Sequence, residues 1–409
     1  MELNGGPAMA ARARSVAGAE AVRRVTVLGS TGSVGTSTVD LLLAHPGRFQ
    51  VHALVGGRNA ALLAEQARKL GAAVAVIAEG SCLPALEAAL AGSGIACAAG
   101  DAAVVQAASD PVDWTMAAIT GAAGLPSTLA AIRGGGAVAL ANKEALVCAG
   151  EVMLRAVRDA GATLLPVDSE HNAIFQAMAE GNHGAVEKIA LTASGGPFRT
   201  SSAEEMARAT PETALRHPIW TMGAKISIDS ATMFNKGLEL IEAARLFDLD
   251  ESRIDVLVHP QSVIHGIVYY SDGSMLAQMG SPDMRIPIAH ALAWPGRIQT
   301  SSPRLDLAAL GQLTFFPPDD LRFPALRLCR DALRAGGGAP TILSAANEVA
   351  VEAFLGRRLG FREIAVLVER VLDRLGSPAA ETLEAIVAVD DAARRAARGM
   401  IEAVAAHAA

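Results

Sequence analysis

The fold is decided by the stretch Val25-Thr26-Val27-Leu28-Gly29-Ser30-Thr31-Gly32-Ser33-Val34-Gly35. It combines a short β-prone run, a turn with glycine at every third position, and the start of a helical pattern that continues to Ala44. In dinucleotide-binding units such glycines make the tight turn, admit the pyrophosphate and let the helix pack close to the strand. The spacing is a variant of G-x-G-x-x-G, and it predicts a nucleotide whose anion faces the helix N-terminus.

The end of the next predicted strand indicates which nucleotide this is. The apolar run 51–55 is followed by Gly56-Gly57-Arg58-Asn59, and the only acidic residue between Gly35 and Arg58 is Asp40, inside the first helix. NAD sites commonly carry an acidic side chain at this strand end, whereas an arginine suits the 2′-phosphate of NADP. The sequence therefore favours NADP(H). The alternative is that Arg58 is a solvated surface charge.

Composition limits the class of protein. The 409 residues allow two or three domains and a substantial core, and the 51% of hydrophobic residues with only 4% aromatic ones is typical of an alanine-rich α/β protein. The net charge of −7 argues against nucleic acid as a main partner. The four cysteines have no metal-type spacing, so we expect a reducing, cytoplasmic location. The uncharged stretch 114–132 is broken by glycine and proline, so we expect no membrane partner.

Strand-like runs alternate with helical patterns in the first part of the chain, which predicts a parallel sheet with crossover helices. The strands predicted for this sheet are 25–28, 51–55, 73–77, 114–119, 137–141 and 163–167. A second sheet is predicted from 188–193, 225–229, 254–258, 263–270 and 274–279, and helices follow from Pro324 onward. We therefore expect an α/β fold with a disordered tail (1–21), a Rossmann-like nucleotide domain (22–165), an α+β domain (166–300), a linker (301–323) and a C-terminal helical bundle (324–409).

Two acidic residues follow the last predicted strand of the first sheet, in Val167-Asp168-Ser169-Glu170. Residues two apart in an extended segment point to the same side, so Asp168 and Glu170 are expected to converge. Two convergent carboxylates suit Mg²⁺ or Mn²⁺ rather than zinc, because neither cysteine nor clustered histidine accompanies them. The alternative is a pair of solvated loop carboxylates.

A second polar group lies in Asp229-Ser230-Ala231-Thr232-Met233-Phe234-Asn235-Lys236-Gly237-Leu238-Glu239, at the start of a predicted amphipathic helix. Asn235 and Glu239 are four residues apart and share a helical face, with Lys236 beside them. A hydroxyl, an amide and an ammonium together fit a phosphate group, and Glu239 can complete the ligands of a metal. The alternative is an ordinary surface helix with a polar edge.

Three further stretches carry polar groups in suitable places. Ser194-Gly195-Gly196 offers backbone N–H groups and a hydroxyl to an anion, although a strand-ending turn is its commoner use. Asn142-Lys143-Glu144 ends the fifth predicted strand, where α/β sheets bind ligands. The stretch 217–223, His-Pro-Ile-Trp-Thr-Met-Gly, suits a lid loop, although its tryptophan and methionine also suit a core.

At these residues the chain closely resembles the 1-deoxy-D-xylulose 5-phosphate reductoisomerases of isoprenoid biosynthesis. Pro166-Val-Asp-Ser-Glu-His-Asn-Ala-Ile-Phe-Gln176 and Asn235-Lys-Gly-Leu-Glu239 are highly specific to that family, and the resemblance extends from about residue 22 to the end. The other matching stretches are Gly29–Gly35, Leu140–Glu144, Ser194–Phe198, His217–Gly223, Lys225–Glu239, His259–His265, Gly280–Trp294 and Ala345–Glu348.

The resemblance implies an NADPH domain, a catalytic domain and a helical bundle, usually assembled as a homodimer. It implies that Asp168, Glu170 and Glu239 hold Mg²⁺, Mn²⁺ or Co²⁺, and that these three and Lys143 form the catalytic group. The implied substrate contacts are Lys143, Ser169, Glu170, Ser194, His217, Ser230, Asn235, Lys236 and Glu239. The implied NADPH contacts are Thr31, Gly32, Ser33, Val34, Gly57, Arg58, Asn59, Asn142, Glu144 and Gly223.

The implied reaction rearranges the keto-sugar phosphate, breaking its C3–C4 bond, and then transfers hydride from NADPH to give 2-C-methyl-D-erythritol 4-phosphate. The family often has lysine where Arg58 stands, a departure that keeps the positive charge. Two other functions remain open at this point. One is an ordinary NADP-dependent dehydrogenase of a small phosphorylated substrate, and the other is a non-catalytic NADP-sensing protein.

Overall fold

The computed structural model describes residues 22–178, 181–220 and 222–408. These residues form two compact units. The first consists of residues 22–145, 153–172 and 283–302, and the second of residues 146–152, 173–282 and 303–408. The tail predicted over 1–21 and Thr221 of the predicted lid lie outside the described residues.

A seven-stranded parallel sheet forms the centre of the first unit. Its strands are β1 (Arg23–Leu28), β2 (Phe49–Gly56), β3 (Val74–Ile77), β4 (Ala96–Ala99), β5 (Trp114–Ala117), β6 (Ala137–Leu140) and β7 (Thr163–Pro166). Their spatial order is β4-β3-β2-β1-β5-β6-β7, so the direction of winding reverses between β1 and β5. Open α/β sheets bind ligands outside the carboxyl ends of the strands at such a reversal.

Helices cover this sheet. Those of the first unit are α1 (Ser33–Ala44), α2 (Ala60–Leu70), α3 (Leu83–Leu90), α4 (Asp101–Ser109), α5 (Leu125–Arg133) and α12 (Arg285–Ala293). The last of these comes from much later in the chain and packs against α1, β6 and β7. It is held there because Trp114 Nε1 donates to the carbonyl of Ala291 at 3.0 Å and Arg23 donates to that of Leu292 at 2.8 Å.

The predicted Rossmann-like sheet is confirmed, and six of its strands are predicted to within two residues of their observed ends. The edge strand β4 is not predicted. Its sequence, Ala-Cys-Ala-Ala, has a low intrinsic preference for a strand, and it forms because its backbone pairs in parallel with that of β3.

A four-stranded mixed sheet forms part of the second unit. Its strands are β8 (Val186–Ala193), β9 (Ile254–Val258), β10 (Ile264–Tyr270) and β11 (Met275–Met279), in the spatial order β11-β10-β8-β9. The central strand β8 pairs in parallel with β9 and antiparallel with β10. The predicted second sheet is therefore present, with one error.

The strand predicted at 225–229 is wrong, because these residues lie in helix α10 (Ala224–Thr232). The alternating pattern Ile226-Ser227-Ile228 suggests a strand, but Lys225 and Asp229 are one helical turn apart and form an ion pair of 2.7 Å. The helix buries Ile228 and Asp229 together, which the sequence pattern alone does not indicate.

The remaining helices of the second unit include a C-terminal bundle, as predicted. They are α8 (Ala203–Ala207), α9 (Pro211–Ala214), α11 (Phe234–Phe247), α13 (Leu307–Leu310), α14 (Ala325–Ala335), α15 (Ala339–Leu355), α16 (Glu363–Leu375) and α17 (Leu383–Ala408). The largely buried α15 packs against α14, α16 and α17. Helix α11 packs closely on α14 at Gly237, where a Cβ would overlap the sulfur of Cys329.

Helices α6 (Lys143–Ala160) and α7 (Ser169–Ala177) contain residues of both units. The first is kinked at Ala149, where φ is −122° and ψ is 26°. Arg245 of α11 donates to the carbonyls of Leu146 and Val147, just before the kink. A guanidinium group therefore binds carbonyl oxygens beside the irregular turn.

The segment predicted as a linker packs on the second sheet. Phe316 forms an antiparallel bridge with Val258, with N···O distances of 2.8 and 2.9 Å, and Phe315 stacks on His259 at 4.7 Å. The division into domains at 165, 300 and 323 stays a prediction. None of the helices within the described residues is long and apolar enough to cross a membrane.

Candidate active site

The turn between β1 and α1 is built on two glycines that no other residue can replace without strain. Gly29 has a φ of +87°, and a Cβ there would lie 2.6 Å from the carbonyl oxygen of Ala118, beyond the end of β5. A Cβ on Gly35 would overlap the carbonyl oxygen of Gly29. The turn is thus pressed between β5 and α1, at the point where the sheet reverses direction.

Gly32 and Ser33 differ from these two glycines because they face solvent. A Cβ on Gly32 would meet only the Gly29 oxygen, at 3.4 Å, so packing within the protein does not demand glycine there. No side chain caps the N-terminus of α1, which begins at Ser33 and continues through Val34. The N–H groups of the first turn therefore remain available to an anion.

Three predicted NADPH contacts follow the end of β2, and one of them, Arg58, is predicted to bind the 2′-phosphate. Arg58 is 83% exposed and lies 3.4 Å from Glu79, which follows β3. Asn59 Oδ1 accepts a hydrogen bond from Leu62 N at 3.1 Å and so caps α2. A Cβ on Gly57 would meet nothing within 4 Å. The carboxylate beside Arg58 is not predicted from sequence, because Glu79 belongs to the next βα connection.

Asn142 ties two loops of the first unit together at the end of β6. Its Oδ1 accepts from Ala145 N at 3.2 Å and caps α6, while its Nδ2 donates to the Gly121 carbonyl at 3.0 Å. The side chain is fully buried, and Glu144 two residues later is buried as well. Asn142 therefore fixes the shape of the loop after β5.

Lys143 and Asp168 form a closely spaced ion pair in the first unit. The Lys143 Nζ lies 2.5 Å from Asp168 Oδ2, and the two side chains are 8% and 22% exposed. Ser169 Oγ donates to Glu170 Oε2 at 2.6 Å. The predicted extended backbone at Asp168–Glu170 is wrong, because Glu170 lies in the first turn of α7 and Asp168 accepts that helix's backbone bond from Asn172 at 2.9 Å.

Asn235, Lys236 and Glu239 come together on the first turns of α11, as their spacing predicts. Asn235 Nδ2 donates to Glu239 Oε1 at 2.6 Å, and Lys236 Nζ lies 2.5 Å from Glu239 Oε2. The Lys236 and Glu239 side chains are only 4% and 1% exposed. The predicted alternative of an ordinary surface helix therefore does not describe this face.

Ser194 and His217 form a hydrogen-bonded pair whose proton position follows from their neighbours. His217 Nδ1 accepts from the backbone N–H groups of Ile219 and Trp220, at 3.2 and 2.9 Å. An accepting nitrogen carries no proton, so the neutral ring is protonated at Nε2, which donates to Ser194 Oγ at 2.9 Å. Burial lowers the pKa of His217 and favours this neutral form.

The same serine also accepts a backbone bond from Gly196 at 3.2 Å. With two donors on its oxygen, Ser194 keeps its own hydroxyl proton for a further acceptor. A Cβ on Gly196 would lie 2.8 Å from the carbonyl oxygen of Ser230, so the Ser194 turn contacts α10 directly. Gly223 precedes the same helix and is exposed.

One buried polar group of the second unit is not among the predicted site residues. Asp229 accepts from Asn347 Nδ2 of α15 at 2.7 Å, besides its ion pair with Lys225. The four-residue spacing of Lys225 and Asp229 is a signal that sequence offers for this pair. Asn347 lies more than a hundred residues away, and although it falls in the matching stretch Ala345–Glu348, no sequence spacing connects it to Asp229.

Three family models match the chain and together cover most of it. A model described as 1-deoxy-D-xylulose 5-phosphate reductoisomerase matches residues 25–150, and one described as the C-terminal domain of that enzyme matches residues 164–247. A third, described as DXP reductoisomerase C-terminal domain, matches residues 279–396.

Proteins that are similar to this chain in sequence and in structure are named as the same enzyme as these family models. A 1-deoxy-D-xylulose 5-phosphate reductoisomerase of Gluconobacter oxydans is 64% identical over 380 residues, which is 93% of either chain. The solved structure of the Zymomonas mobilis reductoisomerase in complex with NADPH is 54% identical, with a TM-score of 0.89 over 93% of this chain and 100% of that one.

A crystal structure of a DOX-P reductoisomerase in complex with NADPH, fosmidomycin and magnesium is 43% identical, with a TM-score of 0.89. It covers 94% of this chain and 99% of that one. Both the identity and the coverage are too high for a likeness of fold alone. The chain therefore belongs to the 1-deoxy-D-xylulose 5-phosphate reductoisomerase family.

Proposed function

We propose that this protein converts 1-deoxy-D-xylulose 5-phosphate to 2-C-methyl-D-erythritol 4-phosphate, with NADPH as reductant and a divalent metal ion. Family membership over 93% of the chain carries the proposal. The protein is thus an NADPH-dependent oxidoreductase of the non-mevalonate isoprenoid pathway. The residues of both units agree with the chemistry that this reaction needs.

The first unit fits a dinucleotide. The exposed Gly32, Ser33 and uncapped start of α1 present N–H groups to a pyrophosphate, and Thr31 and Val34 flank them. Arg58 extends from the end of β2 toward solvent, where a guanidinium suits a 2′-phosphate. We propose that the remaining NADPH contacts come from Gly57, Asn59, Asn142, Glu144 and Gly223.

The acidic residues fit a hard divalent cation, since their donor atoms are all carboxylate oxygens. We propose that Asp168, Glu170 and Glu239 hold Mg²⁺, Mn²⁺ or Co²⁺. When bound, such a cation stabilises negative charge on the substrate oxygens during carbon–carbon cleavage and during reduction. Lys143, with its ammonium held at Asp168, adds a second fixed positive charge near the reacting carbons, and Ser169 completes this group.

The second unit fits the substrate phosphate. Ser194 keeps a proton to donate because His217 and Gly196 both donate to its oxygen. Ser230 adjoins that turn near the end of α10, and Asn235 and Lys236 lie at the start of the next helix, α11. Binding energy at the phosphate, remote from the reacting carbons, orients the substrate for both stages of the reaction.

We further propose that the loop 217–223 closes over the substrate and excludes water, and that the protein acts as a homodimer in the cytoplasm. The hydrogen bonds of His217 to Ile219 and Trp220 support the loop proposal, because they give residues 217–220 a defined internal shape. The four free cysteines support a reducing compartment.

The reaction is tested by following NADPH absorbance after the substrate is added with Mn²⁺. We expect the absorbance to fall, to stop falling when EDTA is present in excess of the metal, and to resume when Mn²⁺ is restored. Oxidation that survives EDTA would instead indicate an ordinary dehydrogenase. No oxidation under any of these conditions would leave a non-catalytic NADP-binding protein.

Replacing Arg58 tests whether this side chain binds the 2′-phosphate of NADPH. Because Arg58 is 83% exposed and solvent screens its charge, we expect Arg58→Asp to weaken NADPH binding about tenfold and to leave NADH binding nearly unchanged. Fluorescence titration with both nucleotides measures the ratio of the NADPH affinity to the NADH affinity. Glu79→Gln is the matched control, and it should retain or tighten NADPH binding because it removes the opposing charge. An unchanged ratio in Arg58→Asp would mean that other residues read the phosphate.

The lowered pKa of His217 predicts a pH dependence. The His217 ring has a lower pKa in the folded protein than its ordinary value of 6.5. Protonation of the ring therefore destabilises the folded form of the loop as the pH falls below 6.5. Protonated His217 loses its acceptor nitrogen at Nδ1 and the bonds to Ile219 and Trp220. We therefore expect the KM for substrate to rise between about pH 7 and pH 5.

His217→Gln is the control for that measurement, because the substrate phosphate itself titrates near pH 6. The variant should show only the dependence that comes from the phosphate. An NMR titration of the His217 ring proton should also have its midpoint below 6.5. If the wild type and the variant have the same pH profile, His217 does not govern the loop.

A further inference from the structure

A cavity of about 150 Å³ lies in the second unit, beside the Ser194-Gly195-Gly196 turn. Its lining residues are Gly195, Arg199, Met233, Val258, Phe316, Pro317, Pro318, Asp319, Arg322 and Phe323. The proposed phosphate ligands are not among the described residues that line it. An engineered cavity of this volume in another protein holds benzene, so the space suits a ligand of that size.

The charges of the wall leave a surplus of positive charge. Arg322 Nε lies 2.8 Å from Asp319 Oδ2, so that carboxylate already has a cationic partner. Two backbone N–H groups also bind Asp319, from Leu321 at 3.1 Å and Arg322 at 3.0 Å. The guanidinium of Arg199 is then left without a balancing carboxylate in the wall.

Arg199 is partly buried, and no carboxylate among the described residues forms an ion pair with it. Its Cζ lies 5.6 Å from the centre of the Phe316 ring, which places the charge over an aromatic face. Val258, Met233 and Phe323 are buried apolar residues on the same wall. The cavity therefore combines one unpaired guanidinium with a compact apolar surface.

We propose that this cavity binds a small organic carboxylate with an apolar body of about benzene size. The planar fork of Arg199 matches the two oxygens of a carboxylate, and the apolar wall accepts the rest of the ligand. Arg322 keeps Arg199 in place, since its two terminal nitrogens donate to the carbonyls of Ser201 at 2.8 Å and Arg199 at 3.2 Å.

The cavity wall also contacts the Ser194-Gly195-Gly196 turn, which we propose binds the substrate phosphate. A Cβ on Gly195 would lie 2.7 Å from Arg199 Cδ, so the arginine stem rests against the backbone beside Ser194. Met233, on the cavity wall, has a φ of 67° and joins α10 to α11 just before Asn235. A bound anion lowers the positive potential near this turn, so it should weaken binding of the substrate phosphate. This second effect rests on the proposed function, whereas ligand binding itself does not.

Calorimetric titration with benzoate and with its neutral isostere benzamide tests the site in the wild-type protein. We expect saturable benzoate binding and at least tenfold weaker binding of benzamide, because only benzoate pairs with the guanidinium. Arg199→Met should weaken benzoate binding tenfold or more, while Arg199→Lys should retain part of it. Arg374→Met, at an exposed position of α16, makes the same charge change elsewhere and should have no effect.

In the activity assay, benzoate should raise the KM for substrate in the wild type and not in Arg199→Met. Equal benzoate affinity in the wild type and Arg199→Met would overturn the site, and so would equal affinity for benzoate and benzamide. The benzamide comparison needs no variant, so the proposal stays testable even if Arg199→Met fails to fold. A protein that binds benzoate as expected but does not turn over the sugar phosphate would contradict the proposed function alone.

Discussion

The ion pair between Lys236 and Glu239 is the interaction on which the proposed site depends. Both side chains are almost completely buried, and moving such charges out of water costs several kcal/mol each even after relaxation. Each charge is tolerated because the other lies 2.5 Å away, and because Asn235 donates to the second carboxylate oxygen. Replacing the pair by apolar residues of similar size is often neutral or stabilising in other proteins, so stability alone does not account for it. A buried carboxylate that is paired with an ammonium, on a helix that also carries the proposed phosphate ligands, fits a metal-dependent sugar-phosphate enzyme.

The rest of the second unit holds that helix in one position. Gly237 lets α11 approach α14 at Cys329, on the same helical turn as the proposed phosphate ligands Asn235 and Lys236. Asp229 ties α10 to α15 through Asn347, and α10 in turn contacts the Ser194 turn at Ser230. Buried polar groups are costly unless their hydrogen bonds are made, so these contacts select one arrangement of the site. In the first unit, Asn142 has the corresponding role for the loops that the nucleotide would contact.

Much of this arrangement could be predicted from sequence where the pattern is local. The strand, glycine turn and helix at residues 25–44 are read directly from residue order, and the four-residue spacing of Asn235 and Glu239 gives their shared face. The errors arise where distant parts of the chain decide. Residues 225–229 have the alternating pattern of a strand, but they form a helix in which Asp229 is buried and hydrogen-bonded to Asn347 of α15. Strand β4 owes its existence to pairing with β3, and Glu79 reaches Arg58 only through the order of the strands.

The most direct test of the account is the binding of Mn²⁺, followed by electron paramagnetic resonance, to the wild type and to Glu239→Gln. We predict that the variant keeps NADPH affinity, binds Mn²⁺ at least tenfold more weakly and loses most of its turnover. Glu352→Gln, at an exposed position of α15, is the matched control and should leave all three quantities unchanged. Lost turnover with unchanged Mn²⁺ affinity would contradict the claim that Glu239 is a metal ligand.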